Sequence, residues 1–430
     1  MVQTEFEPSY GDVCSHSMNK HRLSAFLDVH AQSIVWGLIG LVLVAGAIYA
    51  WWLGDRLRYI DEQDYFTLAE NLIRFRAFTS DGIHPAAFRP PGYPFFLAAL
   101  RIFGAPIFAL RMLNFLALAG IIMLLQCLSL RLFQNRSISM VTAALPLCYP
   151  VLFYTAGALY PQIIGAFLLL FVMFILSNGK ITTGQLLLAG VATSGLILII
   201  PAMGFIVPVF ALWVWLRRHS HHWRDAILIS IIGLLLPAVW SVRNRVLFSE
   251  WVFVSANSGL NLFLGNSEGT TPNSGVNVPH ADLDTQTATM NDVQRDGIFR
   301  DAGQDWIQAH PTRAAVLYLQ KLLNHFNYRN DLFTQTESSS ANDAVMFATF
   351  YPLLTLATMR LLFSHRLPIT TTEGLVVIIY VLGALTTAVF FTRIRFRLPF
   401  DVLLFIMVSG LLAQVQKSTR HTRRVLSLPK

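Results

Sequence analysis

The sequence predicts an all-α polytopic membrane protein with about ten transmembrane helices and juxtamembrane helices on its outer face. Hydrophobic residues make up 54% of the 430 residues and charged residues only 13%, against roughly a quarter charged in a typical soluble domain. Apolar segments long enough to cross a bilayer recur along the whole chain. Basic residues collect in alternate connections between these segments, the pattern that orients membrane proteins.

Ten segments have the length and composition of membrane spans, with boundaries uncertain by about four residues. They lie at 33–53, 107–130, 137–156, 160–177, 181–200, 201–216, 223–242, 343–363, 371–391 and 398–416. The first is too long for the core of a signal peptide and is interpreted as an uncleaved span. The predicted organisation is a cytoplasmic N-terminal tail (1–32), a transmembrane unit (33–416) and a basic cytoplasmic tail (417–430).

The positive-inside rule places the N-terminus in the cytoplasm. The basic residues that then face inside are Arg131, Arg136, Lys180, Arg217, Arg218, Arg224, Arg366, Lys417, Arg420, Arg423 and Arg424. Two large loops, 54–106 and 243–342, fall on the outer face. The segment Tyr93–Phe103 has about 11 apolar residues, too few to cross a bilayer, so we expect a surface or re-entrant helix there. Helical patterns also cover Asp61–Phe75 and about Asp292–His325.

The net charge of +8 does not indicate a nucleic-acid partner, because the basic residues lie beside hydrophobic spans instead of forming one patch. The three cysteines, Cys14, Cys127 and Cys148, imply no disulfide framework. Membrane lipids are the expected surroundings, and the outer loops are the expected place for chemistry.

The first outer loop crowds three carboxylates, Asp61, Glu62 and Asp64, into the start of a predicted helix. Helix capping alone could explain them, because first-turn amides stabilise carboxylates. Alternatively, these carboxylates serve the chemistry. Asp61 directly follows the first span, so its carboxylate would lie near the depth of the lipid headgroups. There it could take a proton from the hydroxyl that reacts with a lipid-linked substrate. Asp61 and Asp64 can share one helix face, and such oxygen ligands could also hold a divalent cation such as Mg²⁺ or Mn²⁺.

The same loop ends in RPPGYP, where the prolines stiffen the backbone just after Arg89. Arg89 could bind a phosphate group, or it could anchor the chain at the lipid headgroups. Glu62, Tyr65 and Tyr93 are further candidates in this loop for binding a sugar or an acceptor.

Two later segments place arginines at the outer ends of spans, against the positive-inside trend. FFTRIRFRLPF carries Arg393, Arg395 and Arg397, and WSVRN carries Arg243 and Asn244. The planar guanidinium can bind phosphate oxygens in pairs, although interfacial anchoring would also explain these residues. SGLNLFLGN follows with Asn261 and Asn266, whose amides suit polyhydroxyl groups.

Taken in order, these blocks resemble the GT-C superfamily of integral-membrane glycosyltransferases, especially the branch with protein O-mannosyltransferases and bacterial aminoarabinose transferases. The blocks are DEQDYFTLAENL with RPPGYPFFLAAL, WSVRN with SGLNLFLGN, WIQAHPTRAAVLYLQKLL, and RFRLPF, and together they span most of the chain. The resemblance implies an essential acid on the first outer loop, with Asp61 as its first counterpart and Asp64 as its second. It also implies polyprenyl-phosphate sugar donors and contact of Arg395 or Arg397 with the phosphate. Relatives often carry glutamate near 160–162 and arginine near 199–201, where this chain has YPQ and IIP.

The expected function is sugar transfer from a polyprenyl-phosphate donor to an acceptor hydroxyl, with inversion, at the periplasmic or exterior face of the inner (plasma) membrane. The acceptor would be a glycan such as lipopolysaccharide, a lipid or a protein. Asp61 would be the general base, and Arg395, Arg397, Arg243 and Arg89 would stabilise the phosphate. A ligase or polymerase acting on a lipid-linked glycan is one alternative. A lipid or glycolipid transporter or flippase is another, although the charges gather on outer loops instead of at mid-membrane.

Overall fold

The computed structural model describes residues 10–216, 222–329, 339–365 and 367–426, and the side chains of residues 29–419 within these ranges. The described chain is helical, and its only β pairing is an isolated bridge between Thr79 and Pro85. The predicted all-α class is therefore confirmed for this part of the chain. Of the basic residues used to orient the chain, Arg217, Arg218 and Arg366 lie outside the described residues.

Seventeen α-helices occur in the described residues. They are α1 Tyr10–Leu53, α2 Ile60–Phe75, α3 Gly92–Arg101, α4 Ile107–Phe133, α5 Arg136–Ala144, α6 Pro150–Ala156, α7 Gln162–Leu176, α8 Thr183–Ile199, α9 Ile206–Leu216, α10 His222–Phe248, α11 Ser258–Gly265, α12 Ala281–Thr287, α13 Asp292–Ala309, α14 Pro311–Asn324, α15 Ser340–Leu362, α16 Thr371–Val389 and α17 Ile394–Leu426. Two 3₁₀ helices, Leu145–Cys148 and Pro201–Phe205, precede α6 and α9.

Six of these helices are long and apolar enough to cross a membrane, and a bent pair at 136–156 raises the number to seven. The six candidate spans are Val29–Leu53, Ile107–Phe133, His222–Phe248, Ser340–Leu362, Thr371–Val389 and Ile394–Thr419. Three shorter apolar helices, at 162–176, 183–199 and 201–216, coincide with the remaining predicted spans. The predicted total of about ten spans is thus not confirmed, because these three helices are short for a bilayer core of about 30 Å.

The two loops predicted to lie outside, 54–106 and 243–342, also form helices where the sequence patterns indicate them. The Asp61–Phe75 pattern corresponds to α2, and the short Tyr93–Phe103 segment corresponds to α3. The single pattern predicted from Asp292 to His325 is instead two helices, because Pro311 has no amide hydrogen to continue α13 and begins α14.

The apolar core is built mainly from α1, α4, α5, α7, α8, α16 and α17. The span of α17 is the most deeply buried of the six candidate spans. Two ion pairs lie in this interior, Arg360 with Glu373 and Arg397 with Asp401, and each is fully or almost fully buried. Pairing of this kind is what allows charged side chains to lie among apolar helices.

Close helix contacts fix α11 against its neighbours. A methyl group at Gly265 would collide with the carbonyl of Phe390, and one at Gly259 would collide with the carbonyl of Asp296. Only glycine fits such approaches of one backbone to another. The SGLNLFLGN segment is therefore packed between the end of α16 and the start of α13.

Candidate functional site

Two carboxylates and two arginines meet where α2, the loop before α3 and α17 converge. Arg89 donates from Nη2 to Asp61 Oδ1 at 2.5 Å, and from Nε and Nη2 to Asp64 Oδ2 at 3.0 and 2.7 Å. Arg395 donates from Nη1 to the other oxygen of Asp61. Asp61 is therefore held between two guanidinium groups that come from opposite ends of the chain. We call these four residues the acid–arginine centre.

Local structure places Asp61 in the first turn of α2. The side chain of Glu62 accepts hydrogen bonds from the amides of Arg58 and Tyr59, which closes the N-terminus of the helix. A third amide, that of Leu159, donates to the same carboxylate, so the start of α2 is also joined to the segment before α7.

Long-range contacts position Arg89. The carboxylate of Asp292 accepts hydrogen bonds from the amides of Ala87 and Phe88 at 2.7 and 2.9 Å. Arg243 donates to the carbonyl of Ala86 at 2.8 Å. The stiff prolines that follow then fix the direction in which Arg89 leaves the backbone.

The electrostatics of the centre favour an ionised Asp61. Burial opposes the charged form, but the Arg395 and Arg89 guanidinium groups outweigh it and hold the pKa of Asp61 below its ordinary value. Burial acts against the charge of Arg89 as well, and the neighbouring Asp61 raises its pKa in spite of it. Burial raises the pKa of Tyr65, whose ring lies beneath Arg89, to about 12.

The acid–arginine centre forms part of the wall of a cavity of about 440 Å³, to which Asp61, Tyr65, Arg89 and Arg395 all contribute. A second part of the wall is apolar and includes Ile199, Ile200, Met203, Phe205, Val252, Phe253, Phe391 and Phe400. A third part is polar and comprises Ser255, Asn257, Ser258, Asn261, Asp296 and Arg300. Trp251 and Phe253 line the cavity and are also exposed on the surface, by 71% and 48%. The cavity thus combines charged, polyhydroxyl-compatible and lipid-compatible surfaces.

Helix starts add positive potential to this cavity. Gln162 at the start of α7 lines it, and no side chain caps that N-terminus. Arg395, the second residue of α17, lines it as well. Free amide groups at helix starts attract anions.

Gln162 is the least expected member of the cavity wall. The residue is 9% exposed, and its Oε1 atom is buried without a hydrogen-bond partner among the described residues. It follows Tyr160, whose ring lies 5.8 Å from the guanidinium carbon of Arg395. The YPQ segment departs from the pattern of the family that the chain resembles, but this departure indicates no role for Gln162.

Arg397 lies apart from the cavity, unlike Arg395. It pairs with Asp401 at 3.0 Å and donates to the carbonyls of His325 and Asn327 at 2.7 and 2.8 Å. This placement favours a structural role for Arg397, because its charge is already compensated by Asp401 inside the protein, and the phosphate contact stays a prediction. Successive helical residues are about 100° apart, so positions 395 and 397 point to different sides of α17.

Four other residues that the sequence predicts to contact substrate make hydrogen bonds within the protein. Arg243 and Glu62 hold backbone groups as described above, and neither lines the cavity. Tyr93 is 1% exposed and lies 3.3 Å from the Asn114 amide nitrogen, which donates to its hydroxyl. Asn244 is fully buried and donates to the carbonyls of Val252 and Val254. A direct contact of these side chains with substrate is therefore not favoured by their positions.

The two remaining asparagines differ from one another. Asn266 is 4% exposed and donates to the carbonyls of Leu262 and Val389, which ties α11 to α16. Asn261 lines the cavity on its polar side. Asp296 and Arg300, which sequence reasoning missed, lie on the same side. Their only sequence signal was their place in the helical pattern of the second outer loop.

A divalent cation does not fit the carboxylates as they are arranged. Among the described residues, no group of three or more His, Cys, Asp or Glu side chains could hold a metal ion. Both oxygens of Asp61 bind arginines, and both oxygens of Glu62 accept backbone amides. The predicted Mg²⁺ or Mn²⁺ dependence stays a prediction without a donor set in this arrangement.

Fold and site together define a multi-pass helical membrane protein with a charged cavity. Among solved structures, the chain is similar to ArnT from Cupriavidus metallidurans bound to undecaprenyl phosphate, with 14% identity over 89% of this chain and 78% of that chain and a TM-score of 0.40. The apo state of the same ArnT aligns over 88% and 77% of the two chains, again with 14% identity, at a TM-score of 0.37. No protein-family model and no curated protein matches the chain.

Proposed function

We propose that this chain is an inverting membrane glycosyltransferase that moves one sugar from a polyprenyl-phosphate donor to an acceptor hydroxyl. The reaction would take place at the periplasmic or exterior face of the inner (plasma) membrane. The observation that carries the proposal is the position of Asp61, held between Arg89 and Arg395 in the wall of a partly apolar cavity.

The arginines suit the phosphate of such a donor. A guanidinium binds phosphate oxygens through two parallel hydrogen bonds, and Arg89 and Arg395 are the cations nearest to Asp61 in the cavity wall. The uncapped start of α7 adds to the same field. The apolar side of the cavity, with Phe253 and Trp251 reaching the surface, would take the first isoprene units.

Donor binding would also prepare the base. In the present arrangement the two arginines lower the pKa of Asp61, which makes it a weak proton acceptor. A phosphate bound to Arg395 and Arg89 would compete for their hydrogen bonds and raise the pKa of Asp61. Asp61 would then remove the acceptor proton only when a donor is in place.

The chemical step follows from this geometry. The acceptor oxygen attacks the anomeric carbon while its proton passes to Asp61. The bond between that carbon and the phosphate oxygen breaks, and its electron pair stays on the phosphate, where Arg89 and Arg395 stabilise it. Attack from the side opposite the phosphate inverts the anomeric carbon.

Cavity size favours a single sugar over a long glycan. A volume of about 440 Å³ lies within the range of roughly 300–1,000 Å³ that small-molecule sites occupy. A ligase or polymerase of lipid-linked oligosaccharides would need a wider groove for its second substrate.

Transfer by the purified protein tests the proposal. Wild type, Asp61→Asn and Glu70→Gln would be reconstituted with a panel of undecaprenyl-phosphate sugars and with lipopolysaccharide, other glycan and peptide acceptors, with and without chelator. Glu70 is the matched control, because it also lies on α2 and binds an arginine, Arg101, at 2.5 Å, but does not line the cavity.

We expect both wild type and Glu70→Gln to transfer the sugar. The transfer rate of Asp61→Asn should be lower by about a hundredfold or more, as expected when a catalytic proton acceptor is removed. Near-normal transfer by Asp61→Asn would refute the role of Asp61. Absence of transfer from every polyprenyl-phosphate donor would refute the activity itself.

A further inference from the structure

Gln162 presents an unsatisfied hydrogen-bond acceptor in the cavity. The residue is more than nine-tenths buried, yet Oε1 has no partner among the described residues. Buried amides normally find partners, so an isolated one in a cavity wall points to a group that arrives with a ligand. The residue opens α7, whose N-terminus has no side-chain cap.

The unsatisfied atom identifies the chemistry of that group. A carbonyl oxygen accepts hydrogen bonds, so its partner must be a donor such as a hydroxyl or an ammonium. A phosphate diester offers no donor and therefore does not satisfy this atom. Within the proposed donor, the sugar is the part that carries such groups.

Charge distinguishes a hydroxyl from an ammonium. Gln162 is neutral and lies at the positive end of the α7 dipole, two residues from Tyr160, over which the Arg395 guanidinium lies. Two carboxylates line the cavity, Asp61 and Asp296. Both oxygens of Asp61 bind arginines, and Asp296 accepts hydrogen bonds from the amides of Gly259 and Leu260 and from the Ser258 hydroxyl. An ammonium would thus meet positive potential and only carboxylates that already have hydrogen-bond partners, whereas a hydroxyl meets no such penalty.

We infer that Gln162 binds a hydroxyl group of the sugar to be transferred, and that the donor sugar is neutral, with no free amine. This inference rests on the proposed function, since it names the class of sugar that the same site takes. Gln162 would be a specificity-determining residue, separate from the residues that hold the phosphate.

Two ligands separate the sugar contact from the phosphate contact. Binding of bare undecaprenyl phosphate and of undecaprenyl-phosphate mannose would be measured by calorimetry for wild type, Gln162→Met and Gln126→Met. Gln126 is the control, because it is also a buried glutamine but bonds to Gln32 and does not line the cavity. The Gln162→Met variant should bind the bare lipid phosphate normally and bind the mannose donor about tenfold more weakly, the effect of losing one hydrogen bond.

A third ligand, undecaprenyl phosphate carrying 4-amino-arabinose, tests the charge argument. Wild type should bind it more weakly than the mannose donor, and Gln162→Glu should reverse that preference, because a carboxylate compensates the ammonium. Equal loss of bare lipid and mannose donor in Gln162→Met, or tighter binding of the amino sugar by wild type, would overturn the inference and leave the proposed function intact. Failure of wild type to bind any of the three lipids would instead reject the proposed function.

Discussion

At the scale of single residues, Asp61 is the side chain on which the site depends. It is 18% exposed and has a guanidinium on each oxygen. Such a bridge keeps the carboxylate ionised and holds three separate segments together. In the proposed reaction, the same bridge would restrain Asp61 as a base until an anion took its place on the arginines.

The pH dependence of stability provides a test of this bridge. Because the pKa of Asp61 is lower in the folded protein than its ordinary value of 3.8, its contribution is complete above that value and is lost as the pH falls through the folded pKa. Wild type should therefore have a higher thermal midpoint in detergent than Asp61→Asn at pH 6, and the gap should narrow below about pH 3.8. A gap that stays constant down to pH 3 would contradict the ion-paired state.

Sequence motifs were sufficient to select Asp61, Asp64, Arg89 and Arg395 as candidates, and the fold brings these four into contact. They could not separate Arg395 from Arg397, because that choice depends on the rotation of α17 about its axis. Helix capping was one of the two explanations that the motifs offered for Glu62, but they could not show that its carboxylate also accepts the amide of Leu159. Contacts between residues far apart in the chain leave no local pattern.

At the scale of elements, the loop that carries Arg89 is held by helices from the second outer loop. Asp292 opens α13 and accepts the amides of Ala87 and Phe88, so α13 positions Arg89 across the site. The sequence predicts α13 but not this docking. In the sequence, Asp292 looks like an ordinary carboxylate in the first turn of a helix.

Removing Asp292 should therefore weaken the proposed phosphate site, although Asp292 makes no contact with the phosphate in that proposal. We expect Asp292→Ala to bind undecaprenyl phosphate about tenfold more weakly, since hydrogen bonds to a charged group contribute roughly 1.5–3 kcal/mol and Arg89 loses its support. Asp292→Asn should recover part of the loss. Exposed Asp282, in the first turn of α12, is the control, and equal effects of both alanine variants on lipid binding would argue against the positioning role.

A second contact between helices joins α14 to the C-terminal ends of α11 and α16. Lys321 is fully buried and donates to the carbonyls of Gly265 and Phe390, each at 2.8 Å. Lys321→Met should lower the free energy of unfolding by about 1–3 kcal/mol, because buried carbonyls lose their donor. Thermal unfolding in detergent measures this, with exposed Lys180→Met as the control. Identical midpoints would show that the contact adds no stability.

At the scale of the whole molecule, composition and hydropathy predict an all-helical membrane protein, while the number of spans is harder to predict. Helices of 15 and 17 residues, α7 and α8, lie among longer ones and are buried by them. Their length alone does not decide whether they cross a bilayer. The side of the membrane that each loop faces depends on whether α7 and α8 cross the bilayer.

Labelling of single cysteines tests the sidedness. Cys14, Cys127 and Cys148 would first be replaced, and cysteines placed at Glu268 in the second outer loop and at Lys180 between α7 and α8, both exposed. A membrane-impermeant maleimide should label position 268 in intact cells and position 180 only after permeabilisation. The reverse pattern would place the acid–arginine centre on the cytoplasmic side.

The affinity of purified protein for bare undecaprenyl phosphate tests the central claim most directly, because Asp61 and the lipid phosphate are expected to compete for the same two arginines. Asp61→Asn should bind the lipid more tightly than wild type, and Arg395→Gln about tenfold or more weakly, as expected for a lost charge-assisted hydrogen bond. The control Arg101→Gln, whose Glu70 partner lies outside the cavity, should match wild type. Unchanged affinity in both Asp61→Asn and Arg395→Gln would contradict the account.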